Sequence, residues 1–269
     1  MFDFSVLMAT YRGDHPGHLE EAIESVYRNS LLPEKFLLVV DGPIPPENKQ
    51  VVERFSESKR AHVLWLPENQ GLQHALNAGL ALIETTWVAR SDADDINAAN
   101  RFETEIDAIK ANPDIDVLGS CSEEFDELGN TRIRHVPLAD QDIRQFLKAR
   151  NPFNHMSVMF RTALVREVGG YPDYTLREDY ALWAVLAAQG ASLMNLQQIL
   201  VRVRAGTDLL VRRGGMKYAA DEIDFQKFLL GLGIVNRLEM ARNLAFRIPV
   251  FIAPVWLRRI VYDVFLRKG

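Results

Sequence analysis

The first half of the chain alternates between short, mostly apolar runs and segments of helical spacing. Residues 4–9, 36–40, 62–66, 86–89 and 115–119 form runs of strand length. Between them, 18–29, 45–58, 71–83 and 98–110 read as helices. In the first of these, Leu19, Ala22, Ile23 and Val26 share one face. Runs with no polar alternation suit strands buried on both faces, and regular strand-helix alternation suits a parallel sheet covered by helices. The expected class is therefore α/β. Further on, 121–125 and 131–135 read as a hairpin about Gly129-Asn130, and 158–160 and 199–204 as strands. Residues 139–149, 179–189, 216–230 and 237–246 read as helices, with Ala181, Leu182, Val185 and Leu186 on one face of the second.

The run at 86–89 stops at Asp92-Ala93-Asp94-Asp95, three carboxylates within four positions. Uncompensated, such a cluster repels itself and forces carboxyl pKa values up. A hard divalent cation with oxygen ligands is the usual relief. At the end of a strand and before a helix, the cluster predicts a metal and ligand site on the carboxyl edge of a sheet. The alternative is a solvated acidic turn in which Asp95 or Asn97 caps the next helix. Other strand-end polar residues, Thr10-Tyr11 and Asp41, would converge on that edge. An aromatic ring suits stacking on a base, and a carboxylate suits a base N–H.

Composition narrows the classes. The chain has 269 residues, 48% of them hydrophobic, enough for one large α/β domain with or without an appendage. A net charge of -5 disfavours nucleic acid as a partner. A lone cysteine, Cys121, permits neither an internal disulfide nor a cysteine-based zinc site. Met1-Phe2-Asp3-Phe4 lacks a basic region ahead of a long apolar core, so no signal peptide is expected. No run approaches the roughly 20 apolar residues of a membrane span. An EF-hand counted from Asp92 fails at Ile96 and Asn97, and no dinucleotide or P-loop glycine motif is present.

In order, Phe4-Ser5-Val6-Leu7-Met8-Ala9-Thr10-Tyr11, Leu38-Val39-Val40-Asp41-Gly42, Asn69-Gln70-Gly71-Leu72 with Ala75-Leu76-Asn77-Ala78-Gly79, Asp92-Ala93-Asp94-Asp95 and Glu178-Asp179-Tyr180-Ala181-Leu182-Trp183 resemble the motifs of family 2 glycosyltransferases with the GT-A fold. The resemblance covers nearly the whole chain. The run from Asn151 to Arg161 and Gly169-Gly170-Tyr171 is similar to a branch that builds bacterial exopolysaccharides and O-antigens, with amylovoran-type transferases the nearest pattern. Gly42-Pro43 departs from the more common Gly-Ser but keeps the aspartate.

The resemblance implies a GT-A fold, a Rossmann-like mostly parallel sheet flanked by helices. Residues 1–205 would form the nucleotide-sugar-binding and catalytic domain, and 206–269 a loop and helical extension. It implies an inverting transfer from a nucleotide diphosphate sugar, a UDP-sugar in preference to a thymidine one, to a lipid-linked saccharide. Thr10, Tyr11, Asp41, Asn77, Asp92 and Arg213 would bind the donor, Arg213 from a basic loop that closes over the diphosphate. Asp94 would hold Mn2+ or Mg2+. Asp179 would act as general base beside Glu178; a helix start favoured by the dipole is the plainer account of that pair. His155 is expected at the metal, the diphosphate or the acceptor, or as a structural histidine. Beyond Pro254, Trp256, Leu257, Ile260, Val261, Val264 and Phe265 share a helical face, with Arg258, Arg259, Arg267 and Lys268 largely elsewhere. Such a helix suits an anionic membrane surface, a docked terminal helix or a dimer interface. The expected location is the cytoplasmic face of the cell membrane. A sugar nucleotidyltransferase or a silent sugar-nucleotide-binding scaffold are the alternatives; Arg12-Gly13 is a poor match to the glycine- and arginine-rich loop of the former.

Overall fold

A computed structural model describes residues 2–58, 60–126, 128–204 and 215–253. The strands are β1 (Phe4–Tyr11), β2 (Lys35–Asp41), β3 (His62–Trp65), β4 (Trp87–Arg90), β5 (Ile96–Asn97), β6 (Val117–Phe125), β7 (Thr131–Arg134), β8 (Met159–Arg161) and β9 (Leu193–Arg204). The helices are α1 (Pro16–Tyr27), α2 (Pro46–Glu57), α3 (Leu72–Leu80), α4 (Arg101–Ala111), α5 (Asp140–Leu147), α6 (Thr162–Glu167), α7 (Glu178–Ala188), α8 (Met216–Gly231) and α9 (Arg237–Ile252). The sheet runs β3-β2-β1-β4-β8-β6-β9-β5, with β7 on β6. The expected parallel sheet is its N-terminal half, β3 to β4. Beyond β4, β8 enters antiparallel to both β4 and β6, and β9 runs parallel to β6.

Continuous apolar strands bury both faces because successive side chains point to opposite sides. Leu7, Leu37, Val39 and Val88 join α3 and α7 in one core. Phe4, Val6, Met8, Leu38 and Val40 join α1, α2 and α4 in the other. Phe225 and Leu229 of α8 extend the first core.

Several elements depart from expectation. The strand 115–119 and the first hairpin strand are one element, β6, with a bulge at Ser120–Ser122 opposite β9. The two-residue strand β5 and the one-and-a-half-turn helix α6 carry too few residues to show a period. Helix α7 is not one-faced. Tyr180 to Ala184, Leu186 and Ala187 are all buried, because α7 packs between the sheet and α8. Helix α9 runs on through Pro249 to Ile252. The amphipathic segment beyond Pro254 and the loop holding Arg213 lie outside the described residues.

The neighbourhood of the acidic turn is fixed by an ion pair with no exposed surface, Arg101–Glu105 at 3.0 Å on α4. Arg101 also donates to Asn97 Oδ1 at 2.5 Å and to the Arg90 carbonyl at 2.9 Å, tying α4 to the end of β4. Glu105→Ala leaves a buried guanidinium without its carboxylate. We expect it to cost about 3–5 kcal/mol in urea unfolding; a loss under about 1 kcal/mol would mean that the pair is dispensable.

Candidate active site

The register of the parallel strands sets Tyr11 beside Asp41, and Leu7 beside Arg90. The carboxyl ends of β1, β2 and β4 therefore open onto one pocket of about 290 Å³, lined by Tyr11, Asp14, Asp41, Arg90, Asp92 and Asp94 among others. This is where open α/β sheets place ligands.

At one end, Tyr11 is 43% exposed and offers a ring face. Thr10 is buried and its hydroxyl donates to Asp14 Oδ2 at 2.8 Å, an oxygen that also accepts the Tyr11 N–H at 3.0 Å. Asp14 was not singled out from sequence, where it reads as an ordinary turn residue. It shapes the end of β1 and faces the acidic cluster; burial pushes its carboxyl up, with Asp92 adding repulsion.

Asp41 is buried and holds the next wall. Its carboxylate accepts from Gln70 N at 3.0 Å, Gly71 N at 2.9 Å and Asn69 Nδ2 at 2.9 Å. Three of its lone pairs thus order the loop that starts α3. Gly42 makes that approach possible: its φ is +78°, and a Cβ there would lie 2.4 Å from the Asn69 nitrogen. Asn77 is occupied at both amide ends, donating to the Tyr171 carbonyl at 2.9 Å and accepting the Tyr171 N–H at 2.8 Å. It anchors the Gly170-Tyr171 turn, where a Cβ on Gly170 would meet Asn77 Oδ1 at 2.3 Å, and it does not line the pocket itself.

The other end of the pocket is charged. Carboxylate oxygens of Asp92, Asp94 and Asp95 gather within 4.8 Å of one another. The helix-capping account of the cluster fails. Asn100 occupies the N-cap of α4, Asp95 accepts the Arg204 N–H at 3.0 Å, and Asn97 bonds Ser25 and Ser91. Asp94 is the solvent-exposed member, yet its carboxyl is pushed up to about 6 by lost solvation and by repulsion from Asp92 and Asp14. Burial, then Asp92 and Asp94, push Asp95 well above the usual carboxylate range. Among the described residues, a buried cation answers this charge from within. Arg90 is fully buried, pairs with Asp92, donates to the Ser91 carbonyl and leaves its Nε without a partner. Sequence reading gave Arg90 no role, because an arginine ending a strand carries no motif of its own. The donor set, hard oxygen atoms in excess of local positive charge, fits Mn2+ or Mg2+.

His155 does not join those carboxylates. Its Nε2 meets the Tyr171 hydroxyl at 3.0 Å, and its ring packs near Trp183. Burial holds its pKa well below the usual histidine value, so the ring is neutral. The expectation of a metal contact gives way here to a buried partner of Tyr171.

Glu178 and Asp179 form the first turn of α7. Asp179 accepts from Asn151 Nδ2 at 2.5 Å and from its neighbour's N–H, that of Tyr180, at 2.7 Å. Glu178 is pushed up to about 7, chiefly by burial and then by the Asp179 charge, with Arg90 and Asp92 also acting on it. That value suits a group that exchanges protons near neutrality, which a plain dipole-favoured helix start does not require.

The family profile for glycosyl transferase family 2 matches residues 5–167. The chain belongs to that family. It is 35% identical to the amylovoran biosynthesis glycosyltransferase AmsE of Erwinia amylovora over 97% of this chain and 98% of that one. It is 36% identical to a UDP-Gal:alpha-D-GlcNAc-diphosphoundecaprenol beta-1,3-galactosyltransferase of Escherichia coli over 98% and 97%. Among solved structures, S. aureus TarS residues 1–349 in complex with UDP-GlcNAc superposes with a TM-score of 0.70 at 16% identity, covering 98% of this chain and 76% of that one. The mannosyltransferase PcManGT of Pyrobaculum calidifontis, in complex with GDP-Man and Mn2+, gives 0.61 at 15%, covering 97% and 75%. The architecture is that of the GT-A glycosyltransferases, as the motif order implies.

The cluster makes a signed prediction. Asp94 has its folded-state pKa raised from 3.8 to about 6, so its contribution favours folding below about 4 and is lost as pH rises through about 6. Asp94→Asn is therefore expected to melt higher than the parent in metal-free buffer at pH 7. A metal-free variant that melts lower than the parent at pH 7 would refute this repulsion.

Proposed function

We propose that the protein transfers a sugar from a nucleotide diphosphate, a uridine nucleotide in preference, to a hydroxyl of a lipid-linked saccharide, inverting the anomeric carbon, in the assembly of bacterial surface polysaccharide. The observation that carries this reading is the two-ended pocket: an aromatic and polar wall at Tyr11, Asp14 and Asp41, and a carboxylate cluster with one buried guanidinium at the other end. Its polarity pattern suits a base, a ribose and a diphosphate in a row. Full-length similarity to a transferase whose name specifies a UDP-linked donor and a diphosphoundecaprenol-linked acceptor supports the same choice.

Tyr11 would stack on the base. The loop that Asp41 orders would line its edge, with Asp92 at the ribose. Asp94, beside Asp92, is the side chain that would hold Mn2+ or Mg2+. When bound, the ion supplies Lewis-acid stabilisation to the charge on the departing diphosphate. Arg90 adds fixed positive charge, and Arg213 would add more to the diphosphate. Asp179 takes the proton of the acceptor hydroxyl as that oxygen bonds to the anomeric carbon. The bond from that carbon to the diphosphate oxygen breaks, and its electrons leave with the nucleotide diphosphate. Glu178, beside Asp179, is pushed up to about 7 by burial and by the Asp179 charge.

Residues 1–205 carry the donor pocket and the acid pair in this reading, and 206–269 form the extension. No helix among the described residues is long and apolar enough to cross a membrane. Helix α9 leaves Leu238 79%, Phe246 74% and Ile252 53% exposed ahead of the basic segment at 254–269. This favours a peripheral place on an anionic membrane surface, the cytoplasmic face, where lipid-linked acceptors are available.

Thermal melting against UDP, dTDP and GDP, and the corresponding sugar nucleotides, with and without Mn2+, is the decisive screen. A ligand that binds the native state raises the melting temperature by mass action. A shift that needs both Mn2+ and one nucleotide is expected; none in folded protein would overturn the site. Given an active donor, Asp179→Ala should lower transfer about 10²–10⁴-fold, and full activity in that variant would remove the proposed base. The rate kcat/KM should rise from pH 6 to 8 as Glu178, beside the proposed base, loses its proton near 7.

A further inference from the structure

The segment ahead of the acid pair is strained, and a buried carboxylate from another helix meets its end. Leu176 has φ +66°, a left-handed conformation that a branched residue rarely adopts. The next residue, Arg177, is the N-cap of α7, and its carbonyl accepts the Ala181 N–H at 2.8 Å. Its guanidinium is buried against Glu222 of α8 at 2.9 Å and lies 4.4 Å above the Tyr218 ring. Glu222, 1% exposed, is shared with Arg247 of α9 and accepts from Gln226 at 2.9 Å.

The same hairpin grips a second segment beside the acid pair. Arg247 donates from its other nitrogen to the Ala149 carbonyl. Asn243 donates to the Lys148 carbonyl at 2.7 Å and to Gln226 Oε1 at 3.1 Å. Lys148 pairs with Glu239 at 3.0 Å, and the Tyr180 hydroxyl donates to the Leu147 carbonyl at 2.5 Å. Two residues beyond Ala149 stands Asn151, the donor to Asp179. Both the strained approach to Glu178 and the segment bearing Asp179's partner are thus held by one network centred on Glu222.

We propose that Glu222 is a positioning residue for the Glu178–Asp179 pair, and that the α8–α9 hairpin clamps the acid pair through Arg177 on one side and Arg247 on the other. The proposal rests on the reading of that pair as the proton acceptor. A buried Arg–Glu–Arg triad is weak evidence for stability, since apolar residues of similar volume often serve as well. Holding geometry at a reacting centre is a reason to keep one, because small misplacements cost large rate factors.

The test is Glu222→Gln, which keeps shape and removes the charge, in the full chain. Amide hydrogen exchange is expected to speed up about tenfold or more in 147–151 and 176–181 and to stay at the parent rate in 87–95. The melting shift given by UDP with Mn2+ should be unchanged. With the donor and acceptor that support turnover, kcat should fall more than about tenfold at unchanged donor KM. Parent-like exchange in both segments, exchange raised throughout the protein, or a parent-like kcat would each overturn the clamp. If Glu222→Gln does not fold, Arg247→Lys keeps the charge but cannot reach both Glu222 and the Ala149 carbonyl. It should show the change in 147–151 alone, and no change there overturns the proposal. Full transfer by Asp179→Asn would instead sink the acid-pair reading, while the exchange data still judge the clamp.

Discussion

Arg90 exposes no surface, yet Asp14, Asp92, Asp94, Asp95 and Glu178 all feel its charge. Burying a guanidinium costs several kcal/mol unless paired charges and hydrogen bonds answer it. Here the answer is the crowd of carboxylates that the strand ends bring together. Each side makes the other tolerable: the carboxylates compensate the buried cation, and the cation lowers their repulsion. The balance is incomplete. Asp94 and Asp95 are still pushed up, and that residual negative charge is what a divalent cation would meet.

Around this centre, acidic residues do two kinds of work. Asp41 and Asp14 spend their oxygens on backbone N–H groups and nearby side chains, which stiffens the walls of the pocket. Asp92 and Asp94 instead stand among like charges beside Arg90, and in the proposed reading they and Asp179 carry the chemistry. A carboxylate accepting several hydrogen bonds is a good scaffold, and one desolvated among like charges is a good ligand or proton acceptor. The difference lies in surroundings, not residue type.

The family profile ends at Glu167, whereas the acid pair begins at Glu178. The relatives from Erwinia and Escherichia nonetheless align over nearly the whole chain. The strand-end pocket therefore lies in the part shared across the family. The acid pair, Arg177 and the α8–α9 hairpin lie in the part shared with full-length relatives.

Much of this was legible in one dimension. Continuous apolar runs named the doubly covered strands, helical spacing named α1, and the order of polar residues at strand ends named one edge of one sheet, because those signals are local and periodic. Tyr11 and Asp41 fell side by side as expected. The sequence could not say which polar atoms are already spent. Asp41 meets Asn69 across 28 residues, Asn77 meets Tyr171 across 94, and Arg247 meets Ala149 across 98. Such pairs exist only once the chain has packed. So the sequence alone determined the α/β class, the family and the acidic edge. The tertiary structure alone decided that His155 and Asn77 both bond Tyr171, that Arg90 offsets part of the cluster's charge, and that Glu222 lies between Arg177 and Arg247. Hydrogen bonds and buried charge depend on distance in space, and separation along the chain does not encode it.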